Sequence, residues 1–224
     1  MRISTTTLES FRLFMQPEQD WMSEEDLLAT IRGEFHPTKE IAIGQAFGRI
    51  LESPTPYKIG GGYCVKDRVF GDILLGDDVV GPALELIDRP RTVFEAKGVG
   101  RYLGHDIVAK ADQMRGGDLS ETKTTFSNFQ LEKYLDSYQW RFMSDMFQVP
   151  RVTYQVFCLS EGSTGVIALK DVEIVPVYAY PGLHGDCDEL VRAFAAYIDV
   201  RDRGGLGLRA FLDAREAALA GGLL

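Results

Sequence analysis

The sequence predicts an α/β (α+β) fold in which a helix, a three-strand meander, a second helix and a further strand follow in the order α-β-β-β-α-β. Three observations predict it. Residues 107–125, IVAKADQMRGGDLSETKTT, contain two strand-like runs joined by Gly116-Gly117. A Gly-Gly link between such runs is a hairpin signal, because both central positions of a type I′ turn need positive φ. Helical periodicity flanks the hairpin at 41–52 and at 126–147, and an alternating run, Val152-Thr153-Tyr154-Gln155-Val156-Phe157-Cys158-Leu159, follows.

Composition bounds the reading. A chain of 224 residues suits one domain with an elaboration, here placed at 53–90 within a single 1–224 unit. No apolar run reaches the roughly 20 residues that span a bilayer. The opening Met1–Thr7 stretch lacks the apolar core of a signal peptide, so a cytoplasmic protein without a membrane partner is expected. The net charge of −9 argues against a protein that coats nucleic acid, though a local basic groove or bound metal ions would still allow an enzyme to act on it. Cys64, Cys158 and Cys187 fit neither a disulfide framework nor a CxxC zinc site, and three thiols fall short of the four an iron–sulfur cluster normally takes.

In chain order, Ser4-Thr5-Thr6-Thr7 caps a short helix that ends before Pro17, and Ser23 with Glu24-Glu25-Asp26 caps a second within 18–32. The 41–52 helix stops at Ser53-Pro54 and places Gly44, Gly48 and Glu52 along one side. Residues 54–81 are rich in Gly, Pro and Asp, with Asp77-Asp78 as a cap for a helix through Leu86. Thr92-Val93-Phe94-Glu95-Ala96-Lys97 is the first core strand and completes the meander. One long helix is expected over 126–147, interrupted or capped near Asn128. Strands at 166–169 and 172–180, a helix at about 186–199, a short one at 208–219 and a frayed end at 220–224 complete the chain.

Counting outward from Gly116-Gly117 pairs Arg115 with Asp118, Met114 with Leu119, Gln113 with Ser120 and Asp112 with Glu121. Opposed side chains share a face, and Lys123, two residues on, emerges there too. Two opposed carboxylates repel, and a hard divalent cation would offset that by taking their oxygens as ligands. The plainer alternative is a solvated hairpin rim of mixed charge.

Asp112 followed by Glu121-Thr122-Lys123 on the next strand resembles the D…(D/E)xK signature of the PD-(D/E)xK nuclease superfamily, in particular its RecB-like and phage-exonuclease branch. A second triplet, Glu95-Ala96-Lys97, lacks a preceding Asp-bearing strand and turn, and is set aside. The resemblance implies a restriction-endonuclease-like core, a mixed sheet flanked by helices. It implies a metal-dependent deoxyribonuclease, an exonuclease in recombination, repair or phage replication, with Mg²⁺ as cofactor and Mn²⁺ able to substitute. Asp112, Glu121 and Lys123 would be catalytic, and Asp112, Glu121 and the Thr122 carbonyl would hold metal. Related enzymes carry a His or Glu on the helix before the meander. Here that position falls on Gly48, which leaves Glu52 as candidate metal ligand or, more plainly, a solvated helix end beside a glycine that allows close packing. The Gln-x-x-x-Tyr feature of such enzymes aligns either as Gln139 with Met143 or as Gln130 with Tyr134; Gln139 is favoured as the substrate-binding residue because it lies nearer the next strand. DNA is the implied partner, and the branch leaves room for a homo-oligomer. The competing reading is a degenerate nuclease fold kept as a DNA-binding or protein-assembly module.

Overall fold

A computed structural model describes residues 1–16, 22–34, 37–87 and 89–220, without the side chains of 215–220. The expected helix stop at Pro17, the Glu18 start of the second helical segment and the frayed tail from 221 lie outside the described residues.

The elements are β1 (Arg2–Ser4), α1 (Thr5–Phe14), α2 (Glu24–Arg32), α3 (Lys39–Glu52), β2 (Lys58–Ile59), β3 (Gly62–Asp67), β4 (Gly71–Gly76), α4 (Asp77–Glu85), β5 (Val93–Tyr102), β6 (His105–Arg115), β7 (Asp118–Thr125), α5 (Leu131–Leu135), α6 (Tyr138–Phe147), β8 (Arg151–Glu161), β9 (Ile167–Tyr178), α7 (Leu183–Arg203) and α8 (Leu208–Ala220). Helix starts follow their caps. Ser4 accepts from the Thr7 N–H, Ser23 and Asp26 form a reciprocal capping box, and Thr38 accepts from the Ile41 N–H. The last carbonyls of α3, on Leu51 and Glu52, accept from the Arg89 guanidinium.

The main sheet is mixed and flanked by helices. β6 is its central strand: β5 covers one edge antiparallel from Tyr102↔His105 to Val93↔Met114. Its other edge is shared. β1 pairs parallel with Asp106, Ile107 and Val108, while β7 pairs antiparallel with Gln113, Met114 and Arg115. Between those two contacts β6 has a gap, and Asp112 lies in it. β8 then pairs parallel with β7, and β9 antiparallel with β8. The 53–90 stretch carries a separate antiparallel sheet, β2-β3-β4, and α4.

Each face of the sheet has its own core. Ile3, Ile107, Ala109, Leu119, Val152, Tyr154 and Val156 pack on one side with α1, α2, α6, α7 and α8. Phe157, Leu159 and Ile167 pack on the other with α3, α4, β3 and β4. β8 serves both, which is why its run is buried almost continuously rather than alternating. No helix among the described residues is long and apolar enough to cross a membrane.

The hairpin register from Arg115↔Asp118 to Gln113↔Ser120 is the one that counting gives. The turn differs, because Gly116 alone takes positive φ (59°), a pattern that fits a type II′ rather than a type I′ turn. The expected long helix over 126–147 is also broken: α5 ends at Leu135, and Ser137 caps a new helix by accepting from the Gln139 N–H. Asp77 and Asp78 occupy the first turn of α4 instead of its cap, which is Gly76.

Candidate active site

The hairpin positions the site by coming apart. After Gln113↔Ser120 the β6–β7 ladder stops, so Asp112 and Glu121 are not the ladder pair that counting predicts. Side chains take over from the backbone there. The Thr122 N–H donates to Asp112 Oδ2 (2.8 Å), and the Asp112 N–H donates to Glu121 Oε2 (3.4 Å). Each strand's carboxylate thus serves the other strand's backbone, which fixes both acids across the opening. Lys123 Nζ donates to Glu121 Oε1 at 2.7 Å, and Gln113 Nε2 donates to Thr122 Oγ1 at 3.2 Å. The β5 edge lapses at the same level. Phe94↔Gln113 and Ala96↔Ala111 pair, but Glu95, which lies between them opposite Asp112, has φ 55°.

Glu121 lies deeper than an open sheet surface would put it. It is 6% exposed and aligns with the buried Tyr154 of β8, because the parallel ladder carries its face into the core that packs α1 and α6. Lys123 stays one-third exposed and pairs with it.

The electrostatics follow from this burial. Burial and then the neighbouring Glu121 charge hold the Asp112 carboxyl well above the usual carboxylate range, with Lys123 and the Thr122 N–H partly offsetting them. Burial alone would lower the Lys123 ammonium, but Glu121 and Asp112 together raise it. Burial raises the phenols of Tyr134 and Tyr154, both of which feel Lys123. Their rings pack 5.3 Å apart.

Asp112 and Lys123 open onto a cavity of about 1070 Å³ between α3 and the meander. Gln45, Gly48, Arg49 and Glu52 of α3 line it, as do Glu95 and Lys110, which form an ion pair. The two glycines of α3 differ sharply. A Cβ on Gly44 would stand 2.6 Å from Thr124 Oγ1, whereas one on Gly48 would meet nothing within 4 Å. Close packing is therefore the role of Gly44, and the position expected to pack closely, Gly48, leaves open space in the cavity wall.

The remaining candidates are spread out. Glu52 is exposed at the cavity mouth, and among the described residues no group of three or more His, Cys, Asp and Glu side chains is gathered to hold a metal ion. Glu52 is thus not assembled with Asp112 and Glu121. Gln139 is half-buried and is not among the cavity's lining residues, because the break at Ser137 starts a new helix beyond the site. In the other alignment Gln130 is exposed, while Tyr134 feels Lys123.

Sequence reading missed Glu95, Lys110 and Arg49. The first two were countable: Glu95 falls opposite Asp112 in the β5–β6 register, and Lys110 lies two residues before Asp112. Arg49 carried no signal beyond its place after Gly48.

No family model matches the chain, and no curated protein matches it. Among solved structures, SSO0001 is similar with a TM-score of 0.50 at 13% identity, over 85% of this chain and 73% of that one. LHK-Exo in complex with dAMP has a TM-score of 0.43 at 9% identity, over 98% of this chain and 93% of that one. A protein from Eubacterium rectale proposed to be an exonuclease has a TM-score of 0.47 at 9% identity, over 90% and 81%. The likeness to SSO0001 shows the fold alone: a mixed sheet flanked by helices.

Proposed function

We propose that this chain is a metal-dependent deoxyribonuclease that hydrolyses DNA phosphodiester bonds, acting as an exonuclease in recombination, repair or phage replication. The observation that carries the reading is the opened hairpin, where two carboxylates are fixed across a strand gap with a lysine on one of them. The resemblance of Asp112 and Glu121-Thr122-Lys123 to the D…(D/E)xK signature supplies the reaction class.

The residues present fit a hard divalent ion. Asp112 is disfavoured as an anion by burial and by Glu121, and a cation between them would relieve both effects. Asp112, Glu121 and the Thr122 carbonyl would hold Mg²⁺ or Mn²⁺, with waters completing the set. Bound there, the ion supplies a water of lowered pKa and neutralises charge on the phosphate. The chain's own groups do the rest. Asp112 and Glu121 are each held by a backbone N–H group of the opposite strand. Lys123 Nζ, anchored on Glu121, presents fixed positive charge where the phosphate gains negative charge, a preorganised electrostatic role. Tyr134 and Tyr154, whose phenols feel the lysine charge, lie on its buried side, and the lower dielectric of that packing strengthens the charge.

Two observations favour the degenerate-module reading: the bare Gly48 and the absence of a third gathered acid among the described residues. End-labelled linear DNA incubated with Mg²⁺, Mn²⁺ or EDTA separates the two. Release of nucleotides in the metal lanes alone is expected; DNA bound but uncut in all lanes would select the module.

A further inference from the structure

The charges on the cavity wall are mostly spent. Lys110 pairs with Glu95, and Lys123 pairs with Glu121. Arg49 lines the same cavity, is exposed, and among the described residues has no ion-pair partner. Asp67 at the end of β3 feels it weakly, its charge being held chiefly by the Phe70 and Val69 N–H groups. The other charges on the wall are acidic, Glu40 and Glu52 toward the two ends of α3 and Asp112 at the strand opening. An anion that enters this cavity therefore has one unspent cation to meet.

Beside that cation the helix is bare. Gly48 precedes Arg49, faces the cavity, and has nothing within 4 Å of where a side chain would begin. Four residues earlier, Gly44 is pressed against Thr124, so the helix touches the sheet at one level and stands clear of it at the next. Glycine at a cleared level permits a ligand backbone to approach the helix closely. A guanidinium at its rim offers forked donors that match a phosphate bidentately.

We infer that Gly48 and Arg49 form a phosphate seat: a phosphodiester of the DNA strand lies in the space over Gly48 and is clamped by the Arg49 guanidinium, next to the Asp112–Glu121–Lys123 centre. The inference rests on the nuclease reading and names where the substrate backbone sits. Arg49 is a positioning residue: it takes a phosphate beside the one attacked and makes no bond to the reacting atoms. The seat also accounts for an acidic chain taking a polyanion, since attraction is local to one cation and to the metal-binding acids.

The test is fluorescence anisotropy with a labelled DNA duplex in Ca²⁺ across a NaCl series, paired with steady-state cleavage in Mg²⁺. Arg49→Gln is expected to weaken binding about tenfold and to reduce the slope of log K against log salt by about 0.9, the share of one phosphate contact. Its KM should rise by a similar factor while kcat stays within about twofold, and Arg49→Lys should restore the salt slope and part of the affinity. Gly48→Leu keeps the charge but fills the seat, and should weaken binding and lower the salt slope as Arg49→Gln does. Lys97→Gln removes an exposed cation that does not line the cavity and should change nothing. Wild-type protein that binds and cuts DNA, with Arg49→Gln matching it in slope and KM, would overturn the seat and leave the nuclease reading standing. Wild-type protein that neither binds nor cuts DNA would overturn both.

Discussion

The chain carries two Glu-x-Lys triplets, and the difference between them shows what makes such a triplet a site. Glu95-Ala96-Lys97 lies on β5, exposed at Glu95 and Lys97, and Glu95 pairs across the sheet with Lys110 rather than with its own lysine. Glu121-Thr122-Lys123 lies on β7 between β6 and β8, where Glu121 is buried and pairs with its own Lys123. Residues i and i+2 share a strand face in both cases, so local geometry does not distinguish them. The surroundings do. β7 parts from β6 within this triplet and admits the Asp112 carboxylate to the Thr122 N–H, whereas β5 stays paired with β6 on both sides of Glu95.

The largest expected effect tests that difference directly. Lys123→Ala should abolish DNA cleavage, a loss of at least 10²-fold in kcat, as for removal of a preorganised charge-stabilising donor. Lys97→Ala should leave turnover unchanged. Cleavage assays on both variants, with circular dichroism to confirm folding, decide it; equal residual activities would erase the distinction between the triplets.

A second contrast concerns stability, where the buried triplet and its partner Asp112 should behave as a liability. The carboxyl of Asp112 is raised in the folded state, so the fold binds its proton more tightly than the unfolded chain does. Stability is therefore lost as pH rises from the unfolded carboxyl range through the raised folded value, and the deficit is complete above it. Without metal at neutral pH, Asp112→Asn should stabilise the protein by about 1–2 kcal/mol, roughly 2–8 °C in Tm. Mg²⁺ or Mn²⁺ should raise the wild-type Tm by mass action and leave that of Asp112→Asn nearly fixed. Thermal melts with and without metal read both expectations; a variant that melts lower in EDTA would show that the acid is not strained in the fold.

How much of this was legible depended on whether a feature was set by local chemistry or by strand divergence. The caps at Ser4 and Ser23 and the Arg115↔Asp118 register follow from side-chain spacing and a glycine turn, which a sequence displays. The gap at Asp112 does not, because it arises where β1 and β7 share one edge of β6, a contact between residues more than a hundred positions apart. Hence Asp112, Glu121 and Lys123 were readable as neighbours, but the depth of Glu121 and their reciprocal backbone bonds were not. The break before α6 was missed for a smaller reason: a serine read as part of a helix turned out to cap one. Gly48 was noticed for the side chain it lacks, while the contact that separates it from Gly44 belongs to Thr124 on a distant strand.

That pair of glycines offers a smaller effect on the helix facing the meander. Gly48→Ala adds a methyl to open space and should stabilise α3 by about 0.5–1 kcal/mol. Gly44→Ala gains the same helix propensity but must displace Thr124 Oγ1 from 2.6 Å, so it should be less stable than Gly48→Ala. Urea midpoints of the two variants give the order. The reverse order would place the close contact of α3 on the sheet at the wrong level.

The smallest expected effect returns to the first triplet and asks whether Glu95 is a bystander. Its lysine is not among the cavity's lining residues, but its carboxylate lines the cavity opposite Asp112 and adds to the forces that raise the Asp112 carboxyl. Among the groups that act on Asp112 its contribution is the least, below burial, Glu121, Lys123 and the Thr122 N–H. Glu95→Gln removes that charge and also frees Lys110 as a second cation on the wall. Both changes favour an ionised Asp112 and an incoming phosphate. Glu95→Gln should therefore lower KM for DNA by a few-fold at most, about 0.5–1 kcal/mol, and move the acid limb of the pH–rate profile slightly downward. Glu52→Gln, at the cavity mouth with no gathered acids around it, should produce less change in either quantity. A Glu52→Gln loss of activity larger than the Glu95→Gln gain would mean that the end of α3 reaches Asp112 and Glu121 when DNA and metal are bound, and would give the proposed site a third acid from α3.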